Sequence, residues 1–135
     1  MAAYLLDTNQ LGEAVTRGSL VHQRIMEARG KGLRVGTCVP VLCEIEAGAE
    51  QVRDPDDYRV KLKRLLRQVT TWPIDGITAR HYGEIYSDLR RRGRALSQVD
   101  MMLAALARQM KLTLITSDRD FEALPDIRTE NWATP

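Results

Sequence analysis

Two short apolar runs near opposite ends of the chain, each leading into a polar group that contains an aspartate, constrain the fold more than any other feature. Tyr4-Leu5-Leu6 runs into Asp7-Thr8-Asn9, and Leu112-Thr113-Leu114-Ile115 runs into Thr116-Ser117-Asp118. Both read as buried strands that deliver polar residues at their carboxyl ends. Helical patterns fill most of the chain between them. Strands separated by helices imply right-handed crossovers and a parallel sheet with helices on both faces.

The intervening pattern is regular enough to place elements. A helix is expected from Asn9 through Val15. Ser19 can cap a second, with Leu20, Ile25 and Ala28 on one face and Gly30-Lys31-Gly32 ending it. Leu33 to Gly36 forms a second strand, after which Pro40 opens a helix carrying Val41, Leu42, Glu44, Ile45 and Ala49. From Asp54 to Val69 the apolar positions Tyr58, Leu62, Leu65, Leu66 and Val69 recur at helical spacing, while Arg59, Lys63 and Arg67 take another face. Thr71 to Ile74 is a weaker strand whose Pro73 suits an edge or an end, and Thr78 to Arg92 a further helix stopped by Gly93. Asp100 introduces Met101-Met102-Leu103-Ala104-Ala105-Leu106-Ala107, apolar all round and therefore central to the core. A last strand falls near Ile127 to Asn131. The fold class predicted is α/β, a three-layer α/β/α arrangement with a mostly parallel central sheet. Residues 1–135 form one domain, a size that buries a single substantial core.

Composition restricts the functional classes. Hydrophobic content of 44% and charged content of 28% exclude a disordered or fibrous chain. The net charge is only +2, yet arginine greatly outnumbers lysine, and the planar guanidinium fork suits phosphate. Nucleic acid is thus a candidate partner, although arginine-rich codon usage would leave the same trace. Cys38 and Cys43 are too close, in too helical a stretch, for a disulfide framework or a zinc knuckle. With no signal-like leader and no apolar stretch of membrane-spanning length, the expected location is the cytoplasm.

Four acids, Asp7, Glu44, Asp100 and Asp118, stand at the edge of or within apolar segments. In open parallel sheets, ligands bind outside the carboxyl ends of the strands, where loops gather. Asp7 and Asp118 leave strands there. Asp100 precedes a helix that must pack on the same sheet, and the apolar partners of Glu44 put it in the core layer, so all four can converge. Singly, each aspartate also suits a helix cap. Spacing alone does not separate Glu44 from Glu46; Gly48, one turn beyond Glu44, favours the former by admitting a phosphate or another backbone. Clustered carboxylates repel one another, and a cation removes that cost. An oxygen-only ligand set suits Mg²⁺ or Mn²⁺ and phosphodiester hydrolysis by an activated water. Neither His22 nor His81 is near the acids in sequence, and no zinc-protease spacing exists. The run Arg90-Arg91-Arg92-Gly93-Arg94, just before Asp100, reads as an electrostatic entrance to the site or as a cationic helix terminus.

These residues resemble those of the PIN-domain nucleases, and within that family the short single-domain toxins of the VapC type. The resemblance covers nearly the whole chain. Leu5-Leu6-Asp7-Thr8-Asn9 is similar to the opening strand and first acid, and Glu44-Ile45-Glu46-Ala47-Gly48 to the helix bearing the second. Asp100 with its apolar helix is similar to the third, and Leu114-Ile115-Thr116-Ser117-Asp118-Arg119-Asp120-Phe121 to the last strand and turn; Asn131-Trp132 also fits. The resemblance implies a Mg²⁺- or Mn²⁺-dependent endoribonuclease, usually dimeric, held inactive by a small antitoxin. It implies catalytic roles for Asp7, Glu44, Asp100 and Asp118, with Asp7, Asp100 and Asp118 as metal ligands. Thr8, Asn9, Thr116 and Asp120 would support them, and Arg90, Arg91, Arg92 and Arg94 would bind RNA. Gln10 departs from the family pattern, in which an apolar residue usually follows Asp-Thr-Asn, and Ser117 stands where arginine is frequent. Alternatives are a structure-specific or housekeeping nuclease of the same fold without a toxin role and, more remotely, an aspartyl-phosphate-forming phosphatase, whose Asp-x-Asp signature Asp7-Thr8-Asn9 lacks.

Overall fold

The structure, a computed structural model, describes residues 2–135. Five strands and six helices follow in the order β1 (Ala3–Leu6), α1 (Thr8–Ala14), α2 (Leu20–Gly30), β2 (Arg34–Cys38), α3 (Val39–Ala49), α4 (Pro55–Leu66), β3 (Thr70–Trp72), α5 (Gly76–Arg91), α6 (Gln98–Met110), β4 (Thr113–Ile115) and β5 (Thr129–Glu130). A 3-10 turn, Arg119–Ala123, links the last two strands. The sheet order is β3-β2-β1-β4-β5, and every pairing is parallel. Helical crossovers supply all connections but the last, as the separated apolar runs predict, and helices flank the sheet.

Burial explains why the inner strands are continuous hydrophobic runs. Leu5 and Leu6 of β1 and Leu114 and Ile115 of β4 are completely buried, because parallel strands are covered on both faces. α6 joins the same cluster through Leu103, Ala104, Ala105 and Leu106, all fully buried. The expectation of an apolar central helix holds.

Helix boundaries differ from the sequence expectation where a polar side chain caps earlier than hydrophobic spacing suggests. α5 begins at Gly76 rather than Thr78, because Asp75 accepts from the Thr78 N–H while the Thr78 hydroxyl accepts from the Asp75 N–H. This reciprocal capping box satisfies two orphan donors. α6 begins at Gln98, capped by the Ser97 hydroxyl; Asp100 lies inside its first turn instead of preceding it. At the other end of α5, Gly93 adopts φ 65°, and the Arg94 N–H reaches back 2.9 Å to the Leu89 carbonyl. That closure is a Schellman motif, and only glycine enters its left-handed position without strain.

Gly36, in the middle of β2, is fixed by neighbouring backbone. A Cβ built there would stand 2.4 Å from the Thr70 carbonyl oxygen and 2.6 Å from the Trp72 ring. Backbone paired in a sheet cannot yield cheaply. Gly36→Ala is therefore expected to destabilise the fold by about 3 kcal/mol, lowering Tm by roughly 10 °C in thermal denaturation followed by circular dichroism.

Candidate active site

The strand order creates a crevice at one place. From β1 the chain crosses to β2 on one side; from β4 it crosses to β5 on the other. Neighbouring strands whose connections diverge leave a gap outside their carboxyl ends, the usual ligand site of open α/β sheets. Asp7 follows β1 directly, and Asp118 lies just beyond β4. The Asp7 N–H bonds the Ile115 carbonyl at 3.0 Å, so the first acid is held level with the end of β4.

A cleft of about 320 Å³ opens there, lined by Asp7, Thr8, Asn9, Glu44, Ser97, Asp100 and Asp118. All four expected acids line it, brought from β1, α3, α6 and the segment after β4. Asp7 is only 6% exposed, yet no arginine or lysine pairs with it. Among the described residues, every ion pair involves an acid outside this set.

Small hydroxyls and backbone N–H groups hold the carboxylates instead. One oxygen of Asp7 accepts from the Gln10 N–H at 2.8 Å, and the Thr116 side chain adjoins the same carboxylate and lowers its proton affinity. Thr116, itself buried, also accepts from the Asp118 N–H at 3.0 Å, so one hydroxyl ties two acids together. Asp118 in turn accepts from the Asp120 N–H at 2.8 Å. Glu44 receives the Thr8 hydroxyl at 2.5 Å. The Ser97 hydroxyl accepts from the Asp100 N–H at 3.1 Å, and the same side chain lowers the proton affinity of the Asp100 carboxylate.

Crowding shows in the proton affinities. Burial pushes Asp7 above the ordinary carboxylate range, with Asp118 and Glu44 adding to the rise and the Thr116 and Gln10 hydrogen bonds opposing it. Asp100 is raised to about 6, first by burial and then by the charges of Asp118, Asp7 and Glu44. The arrangement is a negative cleft without internal compensation, which an oxygen-loving cation would relieve. Among the described residues no three side chains close on a common point as a ready-made ligand cage.

Several expectations need correction. Glu44 is exposed at the cleft wall, not within the core layer, because the buried stripe of α3 is Val41, Ile45 and Ala49. The neighbouring glutamates are separated by partner: Glu44 meets Thr8, whereas Glu46 pairs with Arg59 at 3.2 Å. A Cβ built at Gly48 would meet nothing within 4 Å, so no close approach inside the chain requires glycine there. Asp118 and Asp7 do act as helix caps, but Asp100 does not. Capping and cleft-lining coexist, since a cap engages one carboxylate oxygen. The Asp120 side chain lies outside the lining, and its backbone N–H makes the recorded contact. Ser97 also lines the cleft, and Ser97-Gln-Val-Asp100 is a capping signature readable from sequence.

The arginine run is also resolved. Arg92 is committed, its guanidinium bonding Asp88 and the Ala123 carbonyl, both at 2.7 Å. Arg90 bonds the Tyr86 hydroxyl and lies over its ring; Arg91 makes a longer contact with Asp88. None lines the cleft. Of the basic residues on α4, Arg59 bridges Glu46 of α3 and Glu50 at the C-cap of that helix.

A parallel α/β sheet carrying a carboxylate cleft at its switch point is an arrangement suited to metal-assisted phosphodiester chemistry. The PIN domain family matches residues 4–127. The tRNA(fMet)-specific endonuclease VapC of Shigella flexneri is 28% identical, over 98% of this chain and all of that one. Ribonuclease VapC2 of Haemophilus influenzae is 30% identical over 98% of this chain and 99% of its own length. The DNA-bound VapBC complex of Salmonella typhimurium contains a chain that superposes with TM-score 0.85 and 26% identity, covering 98% of this chain and 99% of that one. The chain belongs to the PIN-domain family, among the VapC ribonucleases.

Electrostatic crowding gives a signed prediction. Between the ordinary value of 3.8 and about 6, folded Asp100 retains a proton that the unfolded chain has released. Its contribution is therefore fully present below pH 3.8, is lost as pH rises through about 6, and stays lost above. An amide avoids the loss. In EDTA, Asp100→Asn is expected to raise Tm by roughly 3–5 °C at pH 7.5 and to give no gain at pH 4, measured by scanning calorimetry; partial exposure screens the effect to about 1 kcal/mol.

Proposed function

We propose that this protein is a divalent-metal-dependent endoribonuclease acting as the toxin of a toxin-antitoxin module. The observation that carries the reading is the four-carboxylate cleft at the β1/β4 switch point, on a fold whose curated relatives are ribonucleases. Asp7, Asp100 and Asp118 would hold Mg²⁺ or Mn²⁺, all three offering oxygen ligands. When bound, the cation supplies positive charge against the phosphate and raises the acidity of water beside it.

The protein's own groups carry the remaining roles. Glu44 has one oxygen committed to Thr8; its other oxygen is free to accept the proton of the attacking water. Asn9, exposed on the cleft wall, orients that water or the phosphate. Thr116 fixes Asp7 and Asp118 against each other, and the Asp120 N–H fixes the far side of Asp118. Ser97 sets Asp100. Arg90, Arg91 and Arg94 stand exposed at the α5 end of the chain leading to Ser97 and serve as phosphate contacts; Arg92 braces that corner.

In this reading the chain is one domain over residues 1–135, pairs with a second copy, and works in the cytoplasm. A single hydrophobic cluster shared by the inner strands and α1 to α6 supports the first statement. For the last, among the described residues no helix is long and apolar enough to cross a membrane. The cognate antitoxin would seat on the early helices, where a groove of about 440 Å³ is lined by Val15, Arg17, His22, Met26, Lys61 and Arg64. Its apolar floor and basic rim suit an amphipathic segment with acidic flanks. An arginine from the same partner, placed among Asp7, Glu44, Asp100 and Asp118, would displace the cation through charge-assisted hydrogen bonds.

The test joins chemistry and biology. Purified protein is expected to cleave RNA with Mg²⁺ or Mn²⁺ and to stop in EDTA, and Asp7→Asn is expected to lose at least about a hundredfold in rate while keeping its fold. Expressed alone, wild type is expected to arrest growth; Asp7→Asn, or wild type with its neighbouring small open reading frame, is not. Harmless wild type with robust cleavage would point to the housekeeping nuclease reading. Cleavage undiminished in EDTA would remove the metal mechanism.

Binding by the arginines is read from salt dependence. On a catalytically dead background, replacing Arg90, Arg91 and Arg94 with alanine is expected to reduce the log–log salt slope of single-stranded RNA binding by about 0.7 for each lost phosphate contact. Arg92→Ala is expected to lower Tm instead.

A further inference from the structure

Gln10 is one of the two residues that depart from the family pattern, and the structure bonds both ends of its amide, which an apolar side chain of the same size could not match. It is 1% exposed. Its side-chain N–H donates to the Asn131 side-chain oxygen at 2.9 Å, and its side-chain oxygen accepts from the Trp132 N–H at 3.3 Å. Its own backbone N–H is the donor that holds the Asp7 carboxylate. The residue that presents the first acid of the cleft is therefore bolted to the C-terminal segment.

That segment also reaches Thr116. The Glu130 carbonyl accepts from the Thr116 N–H at 2.9 Å, and the Thr116 side chain adjoins the Asp7 carboxylate and lowers its proton affinity. Residues 130–132 thus set both supports of one carboxylate, one through α1 and one through the end of β4. The strap is itself anchored: the Arg24 guanidinium donates to the Asn131 carbonyl, Asn131 accepts from the Ala133 N–H, and the Trp132 ring packs 4.9 Å from Tyr4.

We propose that the C-terminal strap Glu130–Trp132 acts, through Gln10 and Thr116, as a positioning element for the Asp7 carboxylate, with Gln10 its principal link. Gln10 touches neither substrate nor reacting atoms; it is a positioning residue. A buried amide with both ends bonded has one rotamer available, so the first turn of α1, and the N–H aimed at Asp7, cannot tilt away from the cleft. An apolar replacement fills the space and frees that tilt, while leaving the Asn131 oxygen and the Trp132 N–H without their partner.

This inference rests on the nuclease reading for the purpose of the carboxylate, so its test uses cation binding beside activity. Mn²⁺ affinity of the intact chain is measured by isothermal titration calorimetry, well below Tm, for wild type, Gln10→Leu, Asn131→Ala and the double variant. Supporting residues of this kind change metal affinity by about ten- to a hundredfold, and Gln10→Leu is expected near the lower end, with a fall in kcat and little change in KM for RNA. Asn131 is exposed, so Asn131→Ala keeps the test available if Gln10→Leu does not fold. The two losses are expected to be less than additive, because both variants break the same bond.

Lower Tm with unchanged Mn²⁺ affinity in both single variants would overturn the inference, as would fully additive effects. Failure of wild type to cleave RNA, with Mn²⁺ affinity still dependent on Gln10 and Asn131, would sink the nuclease reading and leave the strap's role standing.

Discussion

The parallel pairing of β1 with β4 is the constraint on which the site depends. It sets Leu6 beside Ile115, and the Asp7 N–H then takes the Ile115 carbonyl as though the ladder continued one step further. Residues separated by most of the chain thereby share one sheet edge. Loops gather at that edge because every strand ends there. The same pairing places Thr116 within reach of both Asp7 and Asp118, so a buried hydroxyl stands where two carboxylates would otherwise face each other unmediated.

The cleft's energetics run against stability. Four acids converge with no basic partner, and burial and mutual charge push Asp7 and Asp100 toward protonation. Elsewhere in the chain acids are treated differently: Asp88, Asp126, Glu46 and Glu50 each meet an arginine. A fold that pairs several of its other acids with arginine or lysine and leaves this set without a cationic partner stores the capacity to bind a cation. The supports around the set are uncharged hydroxyls and N–H groups, which orient carboxylates without neutralising them. This division of labour leaves the negative potential of the cleft uncompensated.

Much of this was readable from residues. The apolar runs, the helical spacing of Leu62 and Leu65, and the all-round apolar stretch before Met110 follow from periodicity, a local property. Asp7, Asp100 and Asp118 were legible from their positions at segment edges, whereas spacing alone left Glu44 undistinguished from Glu46. Legibility failed where a side chain's partner is remote in sequence. The direction of Glu44 depends on Thr8, Arg92 on Ala123, Arg59 on Glu46 and Glu50, and Gln10 on Asn131 and Trp132. Spacing along a helix says which residues share a face; it cannot say what that face meets. Helix starts erred for a related reason, since Asp75 and Ser97 begin their helices before the apolar period becomes visible.

By itself the sequence determined an α/β chain of buried strands joined by helices, and a set of acids too costly to bury apart from a shared purpose. Hydrophobic period and the desolvation of charge are enough for that. Tertiary structure alone decided which strands became neighbours, and so where those acids met. It turned Glu44 outward to the cleft, gave Arg92 a structural partner, and joined residues 10 and 131 across the full length of the chain. Strand order is settled by which apolar faces cover one another most completely, a competition among many long-range contacts of similar strength, and no local pattern in the residues encodes its outcome.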